Sequence, residues 1–163
     1  MSTHLGNGAH PLFSRHPNYI WSQLANDGLW AGLIGDGHHL PPSTLKAMVR
    51  AKGEKAVLVS DANHFEGYPP GRYLKRNRHG VILEAGGRLV MADNPLIFSG
   101  AATPLNRCVE NVSKYGIRTL GEAIQMASER LAAMLGLTAG GTGSCSQEPP
   151  PTGRFQRAGV QNS

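Results

Sequence analysis

Long apolar runs are missing from this 163-residue sequence. No stretch approaches the roughly 18 consecutive apolar residues of a membrane-spanning helix, so such a span is excluded. Cysteine is scarce, and Cys108 and Cys145 stand far apart. That leaves no disulfide framework and no thiolate metal pattern, and a reducing, cytoplasmic setting is expected. The first residues, Met1-Ser-Thr-His-Leu-Gly-Asn-Gly8, have no basic stretch leading into an apolar core. No secretory leader is therefore expected. Acidic residues are outnumbered, 11 against 16 Lys and Arg, for a net charge of +5. A basic chain suits an anionic ligand. The densest basic run is Arg72-Tyr-Leu-Lys-Arg-Asn-Arg78, and the remaining charge is dispersed, which argues against a nucleic-acid partner.

Glycine and proline are abundant, at 21 and 11 residues. They gather after Thr138, where the chain reads TAGGTGSCSQEPPPTGRFQRAGVQNS. Few large apolar residues remain there to offset the entropy of ordering. The expected organisation is one domain over residues 1–137 and a disordered Gly/Pro/Ser-rich tail over residues 138–163.

Within the domain, apolar runs alternate with helical patterns. Pro17 opens a helix with Ile20, Trp21, Leu24 and Ala25 on one stripe and Gly28 at its end. Leu29–Ile34 and Ala56–Ser60 are apolar throughout, as strands covered on both faces require. Between them Ser43–Lys52 places Leu45, Met48 and Val49 inward, with Gly53 as the stop. Strand, loop, helix, strand is the βαβ pattern of a parallel sheet. The segment before it looks like the end of a third strand. Val81–Glu84 and Arg88–Ala92 predict a β-hairpin insertion turning at Ala85-Gly-Gly87. Two helices close the domain. Thr103-Pro104 caps the first, with Leu105, Cys108, Val109 and Val112 inward. A Thr119–Glu122 capping box opens the second, with Ile124, Ala127, Leu131 and Leu135 inward.

Sites in parallel α/β folds lie at the carboxyl ends of strands. Three segments place polar residues there: Thr3-His4-Leu-Gly-Asn7, Asp36-Gly-His-His39 and Ser60-Asp61-Ala-Asn-His64. Histidine and aspartate at such ends are the residue types that hold metals and move protons.

His4-Leu-Gly-Asn7, Arg15, Gly35-Asp-Gly-His-His39, Val59-Ser-Asp61-Ala and Phe98-Ser-Gly100 follow one another in an order and spacing that resembles the N-acetylglucosamine-6-phosphate deacetylases of the amidohydrolase superfamily. Those barrels run T-H-x-x-N-A, A-D-G-x-H, T-D-A and L-S-G-S before two closing helices. The resemblance covers about residues 2–137. It implies the C-terminal part of a TIM-like (β/α)8 metal-dependent hydrolase barrel, with the hairpin inserted and the tail appended. It further implies deacetylation of N-acetylglucosamine 6-phosphate to glucosamine 6-phosphate, with a divalent cation (zinc or similar) as cofactor and a homodimer as the assembly.

Carried over by resemblance, His4 is a metal ligand and Asp61 the general base and acid. Asn7 and Gly8 offer amides to the sugar phosphate. Arg15 and His39 reach the phosphate, in the family often across a dimer. Ser99 and Gly100 fall in a loop lining the sugar pocket. The sequence departs from the pattern at Asn7-Gly-Ala-His10 and Phe98-Ser-Gly-Ala101, where an altered pocket is expected. Counterparts of the first five barrel strands and their metal ligands are not recognisable. A truncated or frame-shifted copy is therefore expected, inactive alone and without a retained metal. A non-catalytic half-barrel module, or an amidohydrolase of another N-acyl compound, fits the same residues.

Overall fold

A computed structural model describes residues 1–10 and 12–137. The expected disordered tail, residues 138–163, lies outside the described residues.

The fold is mixed α/β. Helix α1 (Tyr19–Ala25), strand β1 (Ala31–Ile34), helix α2 (Pro42–Lys52) and strand β2 (Ala56–Val59) come first. Strands β3 (Gly71–Leu74), β4 (Gly80–Leu83), β5 (Arg88–Met91) and β6 (Phe98–Ala101) follow. Helices α3 (Leu105–Lys114), α4 (Leu120–Ala127) and α5 (Glu129–Met134) close the described chain.

The expected βαβ unit is present. β1 and β2 pair in parallel, with Ala31 opposite Ala56 and Ile34 opposite Val59. Every residue of β1 is buried, so its uninterrupted apolar run is what two covered faces demand. The N-terminal segment lies along the other edge of β1. Ser2 N donates to Trp30 O at 2.7 Å, Gly32 N to Ser2 O at 2.9 Å, and Leu5 N to Gly32 O at 2.9 Å. Leu33, Leu45, Val49, Leu58, Val112 and Met126 meet beneath this sheet, all fully buried.

The hairpin expectation needs correcting. Val81–Glu84 and Arg88–Ala92 do form the inner pair, but of a four-stranded antiparallel sheet ordered β3-β4-β5-β6. β3 was hidden because its alternating partners in Gly71-Arg-Tyr-Leu74 are half-buried or exposed, so it reads as a charged run. β6 was hidden because Ser99 and Gly100 are poor strand formers. A small core of Phe65, Val81, Leu83, Leu89 and Ala102 supports this sheet.

Three helix expectations are also revised. α1 opens at Tyr19 rather than at Pro17, with Asn18 as its cap, the Asn18 side chain accepting from Ile20 N and Trp21 N. α1 ends at Ala25 rather than Gly28, and none of its residues is buried. Its exposed carbonyls are met from α2: the buried Lys52 ammonium donates to Gln23 O at 3.2 Å and Asn26 O at 2.7 Å. Thr103 does not cap α3, and its buried hydroxyl has no partner among the described residues. The Thr119–Glu122 capping box is formed as expected. The helix it opens breaks at Ser128, which shifts the inward face. Ala123, Met126 and Arg130 are buried, while Ile124 and Leu135 are exposed.

Arg130 explains the shifted register. Its Nη1 donates to Gly53 O at 2.9 Å and Ala56 O at 3.2 Å, and its Nη2 reaches Glu54 Oε1 at 3.2 Å. It thereby ties α5 to the turn that feeds β2. Removing a charged donor from buried acceptors costs about 1.5–3 kcal/mol per bond. With two such bonds lost, Arg130→Ala is expected to lower unfolding free energy by about 3–6 kcal/mol in urea titration. Glu54, exposed at the same contact, should cost about 0–1 kcal/mol when replaced by alanine. Equal effects of the two substitutions would show that the carbonyl contacts are not what holds α5.

Candidate functional site

The parallel register brings three chain segments out at one end of the β1–β2 sheet. There Ala62 forms a parallel bridge to Ala101. Asn63 N donates to Ala101 O at 3.0 Å, Ala101 N to Asp61 O at 2.8 Å, and Asn63 Nδ2 to Ser99 O at 3.0 Å. The antiparallel sheet is thus stitched to the carboxyl end of β2. Between them opens a cleft of about 650 Å³.

Six of the expected site residues line this cleft: His4, Asn7, Gly8, His39, Asp61 and Gly100. Ala9, Asn94, Leu96, Ile97 and Phe98 complete its wall. Two expected residues are not brought there. Arg15 is exposed on the loop before α1, where its backbone carbonyl accepts from Asn18 Nδ2 and Trp21 Nε1. Ser99 lies on strand β6, not in a loop. Successive strand residues face opposite ways, so Phe98 and Gly100 face the cleft while Ser99 turns away. Its hydroxyl is 2.8 Å from the Lys75 ammonium, which donates to it.

The backbone is contorted where the chemistry-bearing residues sit. His4 and Asp61 adopt φ of 34° and 52°, a left-handed region costly for residues with a Cβ. Each is pinned by backbone bonds: His4 O accepts from Asn7 N, and Asp61 O from Ala101 N. A side chain at Gly100 would be strained, because its φ is 79° and a Cβ there would stand 3.1 Å from Asp61 O. The turn of Asp61 exposes its side chain, and its carboxylate has no hydrogen-bond partner among the described residues. Two buried polar atoms in the cleft lining, His4 Nδ1 and Asn7 Nδ2, also lack partners there. Buried donors and acceptors are rarely left unpaired without a ligand or water to meet them.

His39 is held more firmly. Asp36 Oδ1 accepts from the backbone N–H of His38 and of His39, each at 2.9 Å. Asp36 Oδ2 lies 2.7 Å from His39 Nδ1. The His39 ring stacks on Phe98 with centroids 4.1 Å apart. Burial alone would raise the Asp36 carboxyl. The bonds from His39 and His38 outweigh it and hold the group below its ordinary value of 3.8. Sequence reading placed Asp36 in a polar strand-end segment but gave it no role in the site, although Asp-x-x-His spacing across a Gly turn is the available signal. It also missed Leu96 and Ile97, which nothing local distinguishes from other turn residues.

A metal ion needs about three protein ligands. Unpartnered Nδ1 makes His4 a fitting donor, but no group of three His, Cys, Asp or Glu side chains converges among the described residues. The residues present do not complete a metal site.

No family model matches the sequence. The chain is 32% identical over 139 residues to a protein of Escherichia coli K12 named "Putative N-acetylgalactosamine-6-phosphate deacetylase", covering 82% of this chain and 78% of that one. The chain belongs to the N-acetylhexosamine-6-phosphate deacetylase family. It is also 32% identical to the N-acetylgalactosamine-6-phosphate deacetylase of E. coli O157:H7, of whose length it spans 34%. With the N-acetylglucosamine-6-phosphate deacetylase of Vibrio furnissii it shares 27% identity over 33% of that enzyme. The crystal structure of the Thermotoga maritima N-acetylglucosamine-6-phosphate deacetylase superposes with a TM-score of 0.70 at 26% identity, over 82% of this chain and 36% of that one. The chain thus spans about a third of the longer deacetylases it matches, as expected for a counterpart of their C-terminal part.

The depressed Asp36 carboxyl links the cleft to stability. Its folded value lies below its unfolded one, so the contribution is present above about pH 3.8 and is lost as the pH falls through the folded value. On acidification from about pH 6 to pH 3, Asp36→Asn should lose less unfolding free energy than the parent chain. Parallel acid profiles from chemical denaturation would show that Asp36 is not held ionised by its partners.

Proposed function

We propose that this chain carries the substrate-recognition and proton-transfer wall of an N-acetylhexosamine-6-phosphate deacetylase. The observation that supports it is the convergence on one cleft of His4, Asn7, Gly8, His39, Asp61 and Gly100. These are residues the resemblance assigns to the site, drawn from four separate chain segments. In this reading the fold is the C-terminal part of a (β/α)8 barrel, with residues 1–5, β1 and β2 as neighbouring barrel strands.

The chemistry follows from the groups. Asp61 takes a proton from the water that attacks the acetamide carbonyl. When the C–N bond breaks, that proton passes to the departing amine, leaving acetate and the free amino sugar phosphate. Asn7 Nδ2 and loop N–H groups are donors for the sugar phosphate. A divalent cation supplies water activation in the family that the resemblance names, and His4 is the residue assigned to it. The described residues of this chain do not complete that site. Arg15, outside the cleft, is assigned to the phosphate only of a second copy's cleft in a homodimer. Relatives named for the galactosamine and for the glucosamine substrate both match, so the substrate class is an N-acetylhexosamine 6-phosphate.

The 163-residue chain alone should release no acetate from either N-acetylhexosamine 6-phosphate and keep no stoichiometric zinc after dialysis, by elemental analysis. Co-expressed with a polypeptide matching the remaining two thirds of the E. coli O157:H7 relative, it should release acetate and retain zinc. In that complex Asp61→Asn should lower kcat by about 10²–10⁴-fold. Turnover within a few-fold of the parent would reduce Asp61 to a loop residue and overturn the reading.

A further inference from the structure

The Gly35–His39 loop is clamped from three directions. Asn111 Nδ2, on α3, donates to Gly35 O at 3.0 Å. His38 donates Nε2–H to Gly86 O, 2.9 Å away on the β4–β5 turn. Asp36 closes the loop on itself through both backbone N–H bonds. Only one side chain of this clamped loop, His39, enters the cleft. Its ring is confined by Phe98 on one face and by Asp36 at Nδ1, where the side chains of His39 and Asp36 are almost fully buried.

A carboxylate accepts and cannot donate. A ring nitrogen 2.7 Å from Asp36 Oδ2 must therefore carry the proton. The other nitrogen is then the one left for anything in the cleft.

We infer that Asp36 is a positioning residue that holds His39 with Nδ1 protonated, so that Nε2 is the atom His39 presents to a bound ligand. The inference concerns a residue to which the resemblance assigned no role. Its ligand step rests on the sugar-phosphate reading above, whereas its ring-orientation step does not. The consequence for recognition is specific. A neutral His39 can only accept at Nε2, from a substrate hydroxyl. It donates to a phosphate oxygen only when the ring is also protonated at Nε2. Asp36 keeps Nδ1 occupied in both states, so the ring cannot meet the ligand by flipping its tautomer.

The test is two-bond ¹H–¹⁵N NMR of the histidine rings in the complete 163-residue chain, with His39 assigned by its loss in His39→Gln. His39 should show a protonated Nδ1 at neutral pH. A neutral ring protonated at Nε2 overturns the inference from the parent chain alone. In Asp36→Asn the amide oxygen keeps the two backbone bonds and the NH₂ faces Nδ1. That ring must then accept at Nδ1 and carry its proton at Nε2, a reversal that a merely structural role for Asp36 would not produce. An unchanged His39 tautomer in a folded Asp36→Asn chain likewise overturns it.

N-acetylglucosamine 6-phosphate and N-acetylgalactosamine 6-phosphate, titrated separately, should shift His39 Nε2 more than Nδ1. A larger shift at Nδ1, or shifts at Asn7 Nδ2 with none at His39, overturns the presentation step. Silence at every cleft nucleus counts against the sugar-phosphate reading and leaves the tautomer result standing as the test of Asp36.

Discussion

The parallel, in-register pairing of β1 with β2 is the constraint on which the site depends. Both strands are short, and both are buried. A slip of one residue would set each side chain against different neighbours in a close-packed interior, so packing and register enforce each other. Because the strands end level, Gly35–His39 and Ser60–Asn63 leave the sheet side by side. The N-terminal bonds to β1 place His4 and Asn7 at the same end. The Ala62–Ala101 bridge then carries β6 across to form the opposite wall.

Rigidity in the core and contortion at the cleft are complementary. Beneath the sheet, apolar side chains from α2, β1, β2, α3 and α4 are fully buried, each contributing roughly 1.5–3 kcal/mol relative to exposure. At the cleft, two non-glycine residues take left-handed backbone conformations, at about 1–3 kcal/mol each. The only other such residue, Arg78, lies in the β3–β4 turn among the described residues. Strain tolerated at His4 and Asp61 aims a ring and a carboxylate into one space, and the packed sheet keeps them from relaxing.

The family relationship gives these residues a context without erasing the differences. Glycine and alanine stand at positions 8, 9 and 101, where the family pattern has other residues, and Leu96 and Ile97 expose apolar surface along the wall. Gly8, Ala9 and Phe98 are the lining positions that depart from the resemblance, while Asp36 and His39 are held by their mutual hydrogen bond and Asp61 by the bond its carbonyl accepts from Ala101 N.

The amino-acid sequence determined whatever depends on neighbours along the chain. The apolar runs of β1 and β2, the α2 periodicity between them, and the Thr119–Glu122 cap are local patterns, legible because burial and capping act within a few residues. The residue types at strand ends marked His4, His39 and Asp61 as candidates for the same reason. Tertiary structure decided what depends on distant partners. β3 and β6 are strands because β4 and β5 offer them hydrogen bonds, against their own weak propensity. Arg130 turned the last helix about its axis by finding carbonyls some 75 residues away. Ser99 lost its place in the cleft through the alternation of a strand no local signal announced, and Arg15 lies outside because its carbonyl is tied to the start of α1 by Asn18 and Trp21. Asp36 became part of the site only when the fold buried it against His39, since a carboxylate three residues from a histidine has no assigned direction until packing removes the water around both.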